Sequence, residues 1–571
     1  MTKDHADNKV LIKIGGGNLR NRYLYLSGQN DFFPRKCYGA SSKRHGTGKH
    51  LLLLVKGLGE PVETDLCPRG ANGTSRCIFR NQTWVGEFFK RHEIKEGDSV
   101  AVERLGQLLY RVYPYQTSQV HNGVRRHLSL GNGNGRKYKQ LNLLTKLGAV
   151  TKPETGRIAN GSRNKLLQED HAAHDWYRFI LSYPPQLVRE YLYRFGLPPG
   201  SCVLDPFCGT GTTLVECKKL GISSIGLEAH PMAALASLVK TNWDVSAANL
   251  TQHSHAVAER VRRTLADEPH PLRTLPEQTH KLLLKNSISP LPLHKTLVLL
   301  DELKRYERTR HHGHAKLALA SALVKDIGNL HFGPEVGVRN IKEDADVLGT
   351  WLDGIDRIAS DLVELQEIES APTQVFCHDS RTMVQRLKTA SVDAIITSPP
   401  YPNEKDYTRT TRLETVLLGF ISDRNDLRAL KKNLLRSNTR NVYKGDDDHQ
   451  WIESFPRIRR IAEKIEAKRI ALGKTSGFER MYARVTILYF GGMARHLAEL
   501  RRVLRPGAHL AYVVGDQASY LRVMIRTGQL LAQIADSLGY EIESIDLFRT
   551  RLSTVTKKQL REEVLVLKWP G

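Results

Sequence analysis

No run of eighteen apolar residues occurs in this 571-residue chain, which excludes a helical membrane span. Cysteine is scarce too: Cys37, Cys67, Cys77, Cys202, Cys208, Cys217 and Cys377 are odd in number, scattered and never spaced Cys-x-x-Cys. Neither a disulfide framework nor a zinc ribbon fits that pattern, and a reducing, cytoplasmic setting is expected. The opening Met1-Thr2-Lys3-Asp4-His5 has no apolar stretch of the kind a signal peptide needs. Internal repeats are absent. No convincing Pro-Asp…Glu-x-Lys arrangement stands out either, so any nuclease activity is expected on another chain. Acidic residues are outnumbered: 60 Asp and Glu against 85 Lys and Arg leave a formal charge of +25. Such an excess draws polyanions from a distance and makes their binding salt-dependent. His311, His312 and His314 beside Arg308 and Arg310 read as a solvated basic face, and no metal is expected.

What is present divides the chain. Short apolar runs within residues 9–115 (Val10–Ile14, Tyr23–Leu26, Leu51–Val55, Val100–Val102, Leu108–Val112) alternate with turn residues, predicting a mostly-β domain over 1–118. Trp84 through Phe88-Phe89 to Gly97-Asp98-Ser99-Val100 reads as helix, turn and strand. Residues 119–170, with Gly131-Asn132-Gly133-Asn134-Gly135-Arg136-Lys137, read as a linker or a phosphate-touching arm. From 171 to 571, strands at 202–205, 223–227, 374–377, 392–397, 508–514, 541–548 and 563–568 alternate with helical stretches. That alternation implies an α/β domain with a mostly parallel sheet. Residues 232–370 interrupt it with amphipathic helical sequence such as Leu297–Tyr306 and Val347–Glu367, an expected helical insertion.

Two segments of the α/β part carry chemistry. Val203-Leu204-Asp205-Pro206-Phe207-Cys208-Gly209-Thr210-Gly211-Thr212 is an apolar strand breaking into a glycine loop that lets backbone approach a ligand. The next strand ends at Glu228, an acid placed to accept both hydroxyls of a ribose. The loop lacks the Gly-Lys-Ser/Thr that closes an ATP phosphate loop. Further on, Ala394-Ile395-Ile396 leads into Thr397-Ser398-Pro399-Pro400-Tyr401, which offers a hydroxyl, a stiff carbonyl row and an aromatic face, a set suited to an extruded nucleobase. A weakly nucleophilic exocyclic amine gains reactivity when two acceptors take its hydrogens. The Ser398 hydroxyl and the Pro399 carbonyl can be those acceptors, Pro400 stiffens the loop and Tyr401 can stack on the base.

Together these segments resemble the S-adenosylmethionine-dependent amino-methyltransferases of DNA. The resemblance covers 171–235 and 371–571 and includes Arg412-Leu413-Glu414, Leu504-Arg505-Pro506-Gly507 and Gly515-Asp516. It implies a Rossmann-like methyltransferase sheet with S-adenosylmethionine bound by Asp205, Pro206, Phe207, Gly209, Gly211, Thr212 and Glu228. It further implies Asp379 near the adenine ring, and Pro185, within Phe179–Val188, near the methionine end. Ser398, Pro399, Pro400 and Tyr401 are the implied catalytic residues. Serine at the first position of that loop is more common in cytosine-N4 enzymes, aspartate in adenine-N6 enzymes, so cytosine N4 in double-stranded DNA is the expected target. No Pro-Cys nucleophile is present, which disfavours carbon-5 methylation. A cognate restriction endonuclease on another chain is the expected partner. Alternatives are an adenine-N6 enzyme, a guanine-N2 RNA methyltransferase whose cofactor loop also reads Asp-Pro-Phe-Cys-Gly, and a DNA-binding regulator with an inactive enzyme domain. The N-terminal part resembles a DNA-recognition pseudobarrel through Phe32-Phe33-Pro34, Trp84, Phe88, Gly97-Asp98-Ser99-Val100 and Tyr110. That likeness would put Arg35, Lys36, Lys43, Arg44 and Lys49 on groove-facing loops, and a generic β-module with basic loops is the other reading. Arg424, Arg428, Lys431, Lys432, Arg436, Arg440, Arg457, Arg459 and Arg460 follow the catalytic loop and read as DNA-backbone contacts or as a solvated face.

Overall fold

The computed structural model describes residues 9–26, 32–34, 37–39, 47–55, 62–69, 76–104, 109–115, 166, 170–177, 182–267, 271–333, 335–403, 405–552 and 559–571. The chain forms two compact units, Met1–Ala149 and Val150–Gly571.

In the first unit, strands β1 (Lys9–Lys13), β2 (Leu51–Val55), β3 (Val62–Thr64), β4 (Leu66–Arg69), β5 (Arg76–Phe79), β6 (Ser99–Arg104) and β7 (Leu109–Tyr115) surround the helix Val85–Arg91. Five of them make a sheet in the order β1-β6-β7-β2-β3, and β4 and β5 make a separate ribbon. Phe33, Phe79, Trp84, Phe88 and Tyr110 are buried and pack ring against ring, Phe33 and Tyr110 at 4.7 Å between centroids. Each such pair adds about 0.5–1.5 kcal/mol beyond area burial. The aromatic residues behind the pseudobarrel likeness are therefore core. Tyr23–Leu26 forms no strand; Tyr25 alone makes a bridge, to Ile78. Lys49 is exposed, whereas Arg35, Lys36, Lys43, Arg44 and the arm at 119–170, apart from Leu166 and Asp170, lie outside the described residues.

The second unit is α/β. Its large sheet contains β8 (Cys202–Asp205), β9 (Ser223–Leu227), β12 (Thr373–Phe376), β13 (Val392–Thr397), β14 (Leu504–Gly515), β15 (Glu541–Leu552) and β16 (Gln559–Lys568). The order is β12-β9-β8-β13-β14-β16-β15; the first five strands run parallel and β16 lies antiparallel to both neighbours. This is the expected Rossmann-like, mostly parallel sheet. Val203, Leu204, Ala394, Ile395 and Ile396 are wholly buried, as central parallel strands covered on both faces require. From β8 the sheet grows outward through β9 and β12, and from β13 the opposite way. The gap beyond the ends of β8 and β13 is thus the topological switch point where ligands of open α/β sheets bind.

Residues 232–370 contain the helices Ala247–Asp267, Pro290–Lys304, His312–Ala322 and Val347–Gln366 and a small hairpin of β10 (Leu330–Phe332) and β11 (Val336–Val338). Trp351, Ile355, Leu299 and Leu319 are central to their shared core, which also takes in Leu413 and Leu417 from beyond the second loop. The insertion therefore buttresses the helix Arg412–Leu417. The histidine group is not the solvated face its neighbours suggested. His314 is fully buried, with Nε2 bonded to the Asn242 carbonyl at 3.0 Å and its ring edge-on to Trp176, because its helix faces the insertion core. No described helix is long and apolar enough to cross a membrane.

Candidate active site

The two loops read from sequence end neighbouring strands, since Val203 pairs with Ala394 and Leu204 with Ile395. A buried knot ties them together. Thr397 donates its hydroxyl hydrogen to Asp205 Oδ1 at 2.6 Å, Tyr183 donates to Asp205 Oδ2 at 3.0 Å and the Phe207 amide to Oδ1 at 3.1 Å. Thr213 Oγ1 donates to the Ile396 carbonyl at 3.0 Å. Burial pushes the Asp205 carboxyl up to about 6 against the pull of those donors. Asp205 thus organises the loop from beneath and does not line the cavity above it.

The glycines have separate tasks. Gly209 sits at φ +51° and its amide donates to Glu228 Oε2 at 2.9 Å. Gly211, at φ +88°, turns the chain into the helix Thr212–Lys219, and a Cβ there would lie 3.1 Å from Ser237 Cα. The first joins loop to acid; the second permits close helix packing. Glu228 Oε1 takes the His230 amide at 2.8 Å. Burial pushes the Glu228 carboxyl up to about 7, against those two backbone donors.

One cavity brings most of the expected residues together. Pro206, Phe207, Gly209, Thr212, Glu228 and Asp379 line it beside Ser398, Pro399, Pro400 and Tyr401. Pro185, first in the helix Pro185–Phe195, lines an adjoining cavity instead. Asp379 is gripped by Arg381, whose Nη2 donates at 2.7 Å and whose Nη1 reaches Asp448 at 2.6 Å. Ser398 donates its hydroxyl hydrogen to the Val513 carbonyl at 3.2 Å, which leaves the oxygen as an acceptor. Tyr401 packs over Gly515, where a Cβ would come within 3.0 Å of its ring. Phe207 meets the edge of His496 at 4.8 Å, and burial lowers that histidine to about 4, keeping it neutral.

Sequence reasoning missed a third wall. Asn433, Ser437, Asn438 and Asn441 line the same cavity, Asn438 donating to the Lys405 carbonyl at 3.1 Å and Asn441 to the Leu435 carbonyl at 3.2 Å. The polar, aperiodic run Ser437-Asn438-Thr439-Arg440-Asn441 was the available signal. The basic stretch around it is mixed. Lys431 and Arg436 are buried and neutralised by Asp406 at 3.0 Å and Asp446 at 2.8 Å, so phosphate cannot reach them. Arg424, Arg428, Lys432, Arg457, Arg459 and Arg460 are exposed.

The chain is similar in sequence to known proteins. A family described as DNA methylase, of the N6/N4 amino-methylating kind, matches residues 91–237, a span that includes Asp205 and Glu228. The type II methyltransferase M.BsoBI of Geobacillus stearothermophilus is 27% identical over 414 residues, covering 65% of this chain and 79% of that protein. M.AvaI, a type II methyltransferase of Nostoc, is 24% identical over 444 residues, 69% of this chain and 86% of its own. A shorter stretch of 56 residues is 46% identical to M.MjaII of Methanocaldococcus jannaschii, also a type II methyltransferase. With the sheet order and the paired loops at its switch point, these likenesses support a DNA amino-methyltransferase family for the chain.

Proposed function

We propose that this chain transfers a methyl group from S-adenosylmethionine to the exocyclic N4 of cytosine at a specific site in double-stranded DNA. It would do so as the modification half of a restriction system whose nuclease is a separate chain. The observation that carries this reading is the shared cavity of Glu228 and Ser398–Tyr401 at the switch point. The residues present fit the cofactor. The Gly209 and His230 amides orient the Glu228 carboxyl, which lines the cavity with Asp379, so both acids stand where the ribose and adenine of the cofactor would lie.

The cofactor supplies an electrophilic sulfonium methyl. Ser398 Oγ, its own hydrogen committed to Val513, accepts one amine hydrogen of the target base, and the Pro399 carbonyl accepts the other. That pairing pulls the nitrogen toward pyramidal geometry and frees its lone pair for attack. Pro399 and Pro400 keep the acceptors from drifting, which matters because an error of about 1 Å can cost a hundredfold in rate. Tyr401 stacks on the extruded base, worth roughly 1–3 kcal/mol. The methylated nitrogen is acidic and passes its proton to water. Ser398, in place of aspartate, favours cytosine, and the type II relatives favour a modification role. Mass spectrometry of nucleosides from unmethylated DNA treated with the protein and S-adenosylmethionine tests the proposal. N4-methylcytosine is the expected product; N6-methyladenine would overturn the choice of base, and methylation of RNA alone the choice of substrate.

A further inference from the structure

A second cavity adjoins the first, and Ser182, Tyr183, Thr210 and Thr212 form part of the wall between them. Its far side comes from the insertion, through Lys325, His331 and Phe332. Glu414 lines this chamber from the helix Arg412–Leu417 and is only 1% exposed. Its Oε1 accepts the Tyr177 hydroxyl at 2.6 Å, yet its Oε2, equally buried, has no hydrogen-bond partner. Buried polar atoms are rarely left so, and an orphaned carboxylate oxygen in a residue that lines a cavity points to a donor that arrives with a ligand. Lys240 and Lys325 line the same chamber, so both signs of charge meet there.

The geometry of the first cavity says which ligand end reaches it. Glu228 and Asp379 suit the ribose and adenine, and the reacting methyl must face Ser398 and Pro399. The remaining end of the cofactor is its amino acid, a zwitterion, and the direction left for it is past Thr210 and Thr212. We propose that the second chamber holds this amino-acid end and that Glu414 Oε2 accepts a hydrogen bond from its α-ammonium. Glu414 would then be a cofactor-positioning residue, and the insertion part of the cofactor site. The inference rests on S-adenosylmethionine being the cofactor.

Burial pushes the Glu414 carboxyl up to about 7, and its chamber neighbours are His174, Tyr177, Tyr183, Lys240, Lys325 and His331. An arriving ammonium favours the ionised form, so binding near neutral pH displaces a proton. Calorimetric titration of the whole protein with S-adenosylhomocysteine and with its desamino analogue tests the idea. The unaltered protein should prefer the amino compound by about tenfold or more, and Glu414→Gln should lose that preference. A Glu414→Gln protein that keeps the preference, or an unaltered one that never shows it, overturns the assignment. Should Glu414→Gln not fold, proton release decides. At pH 6.5, in two buffers of different ionisation enthalpy, the unaltered protein should release more protons with the amino compound than with the analogue, and equal release refutes the proposal. Failure to bind either compound would instead sink the cofactor reading beneath it.

Discussion

The loop after β8 and the loop after β13 end adjacent strands, yet they are held in opposite ways. The first is a net of buried and half-buried hydrogen bonds: Asp205 gathers Thr397, Tyr183 and the Phe207 amide, Gly209 reaches Glu228, and Ser237 Oγ holds the Gly209 carbonyl at 2.7 Å. The second leans on covalent stiffness, with two prolines beside a hydrogen bond from Ser398 to Val513, the Asn403 amide on the Tyr401 carbonyl at 2.7 Å, and Tyr401 seated on Gly515. A loop that cradles a ligand of constant shape can commit its polar groups to its own conformation. A loop that must pyramidalise an incoming amine needs its acceptors uncommitted, so rigidity has to come from the ring constraint of proline.

The comparison breaks most sharply at Ser398. Ser398→Ala should lower kcat by about 10²–10³-fold, the range seen when one preorganised polar partner of a reacting group is removed. Affinity for S-adenosylhomocysteine should stay within about twofold, since the first loop is untouched. Single-turnover kinetics beside calorimetry would separate the two, and a matching loss of affinity would refute the division of labour.

Glu228 comes next. Its carboxyl is raised to about 7 in the free protein, and ribose hydroxyls donate to the ionised form, so affinity should grow as pH rises through 7. Glu228→Gln should make that dependence shallower, leaving the share that Glu414 contributes, with a gap of about tenfold at pH 8 that closes toward pH 5.5, where the native Glu228 carboxyl is also uncharged. Parallel slopes for the two proteins in a pH titration of binding would remove Glu228 from the ribose.

An effect read mainly on stability sharpens the contrast. Thr397→Val keeps the shape of β13 but takes a donor from buried Asp205, which should cost about 1–3 kcal/mol of stability by urea denaturation. Cofactor affinity should weaken with it, although Thr397 belongs by sequence to the base-handling strand. Unchanged stability and affinity would mean that the knot does not join the two loops energetically.

Much of this was legible beforehand because it is local. Val203-Leu204 and Ala394-Ile395-Ile396 are apolar runs bounded by turn residues, and they became the buried strands their composition called for. Other features depended on partners remote in sequence. Lys431 and Arg436 looked like surface cations until Asp406 and Asp446 were seen to bury and neutralise them. His314 looked solvated until the insertion core closed over it. The wall from Asn433 to Asn441 has no periodicity to announce it, and Gly515 gained its meaning from Tyr401 packing upon it.

The sequence alone determined the alternation of strands and helices, the two loop chemistries and the excess of positive charge, because propensity, periodicity and formal charge are properties of neighbouring residues. Tertiary structure decided that Thr397 would hydrogen-bond Asp205 across a separation of 192 residues, that Glu228 and Ser398 would face one cavity, and that Glu414 would lie buried beside a second. Those relations follow from strand order and helix packing, where burial removes water and makes each polar group depend on whichever partner the fold brings to it.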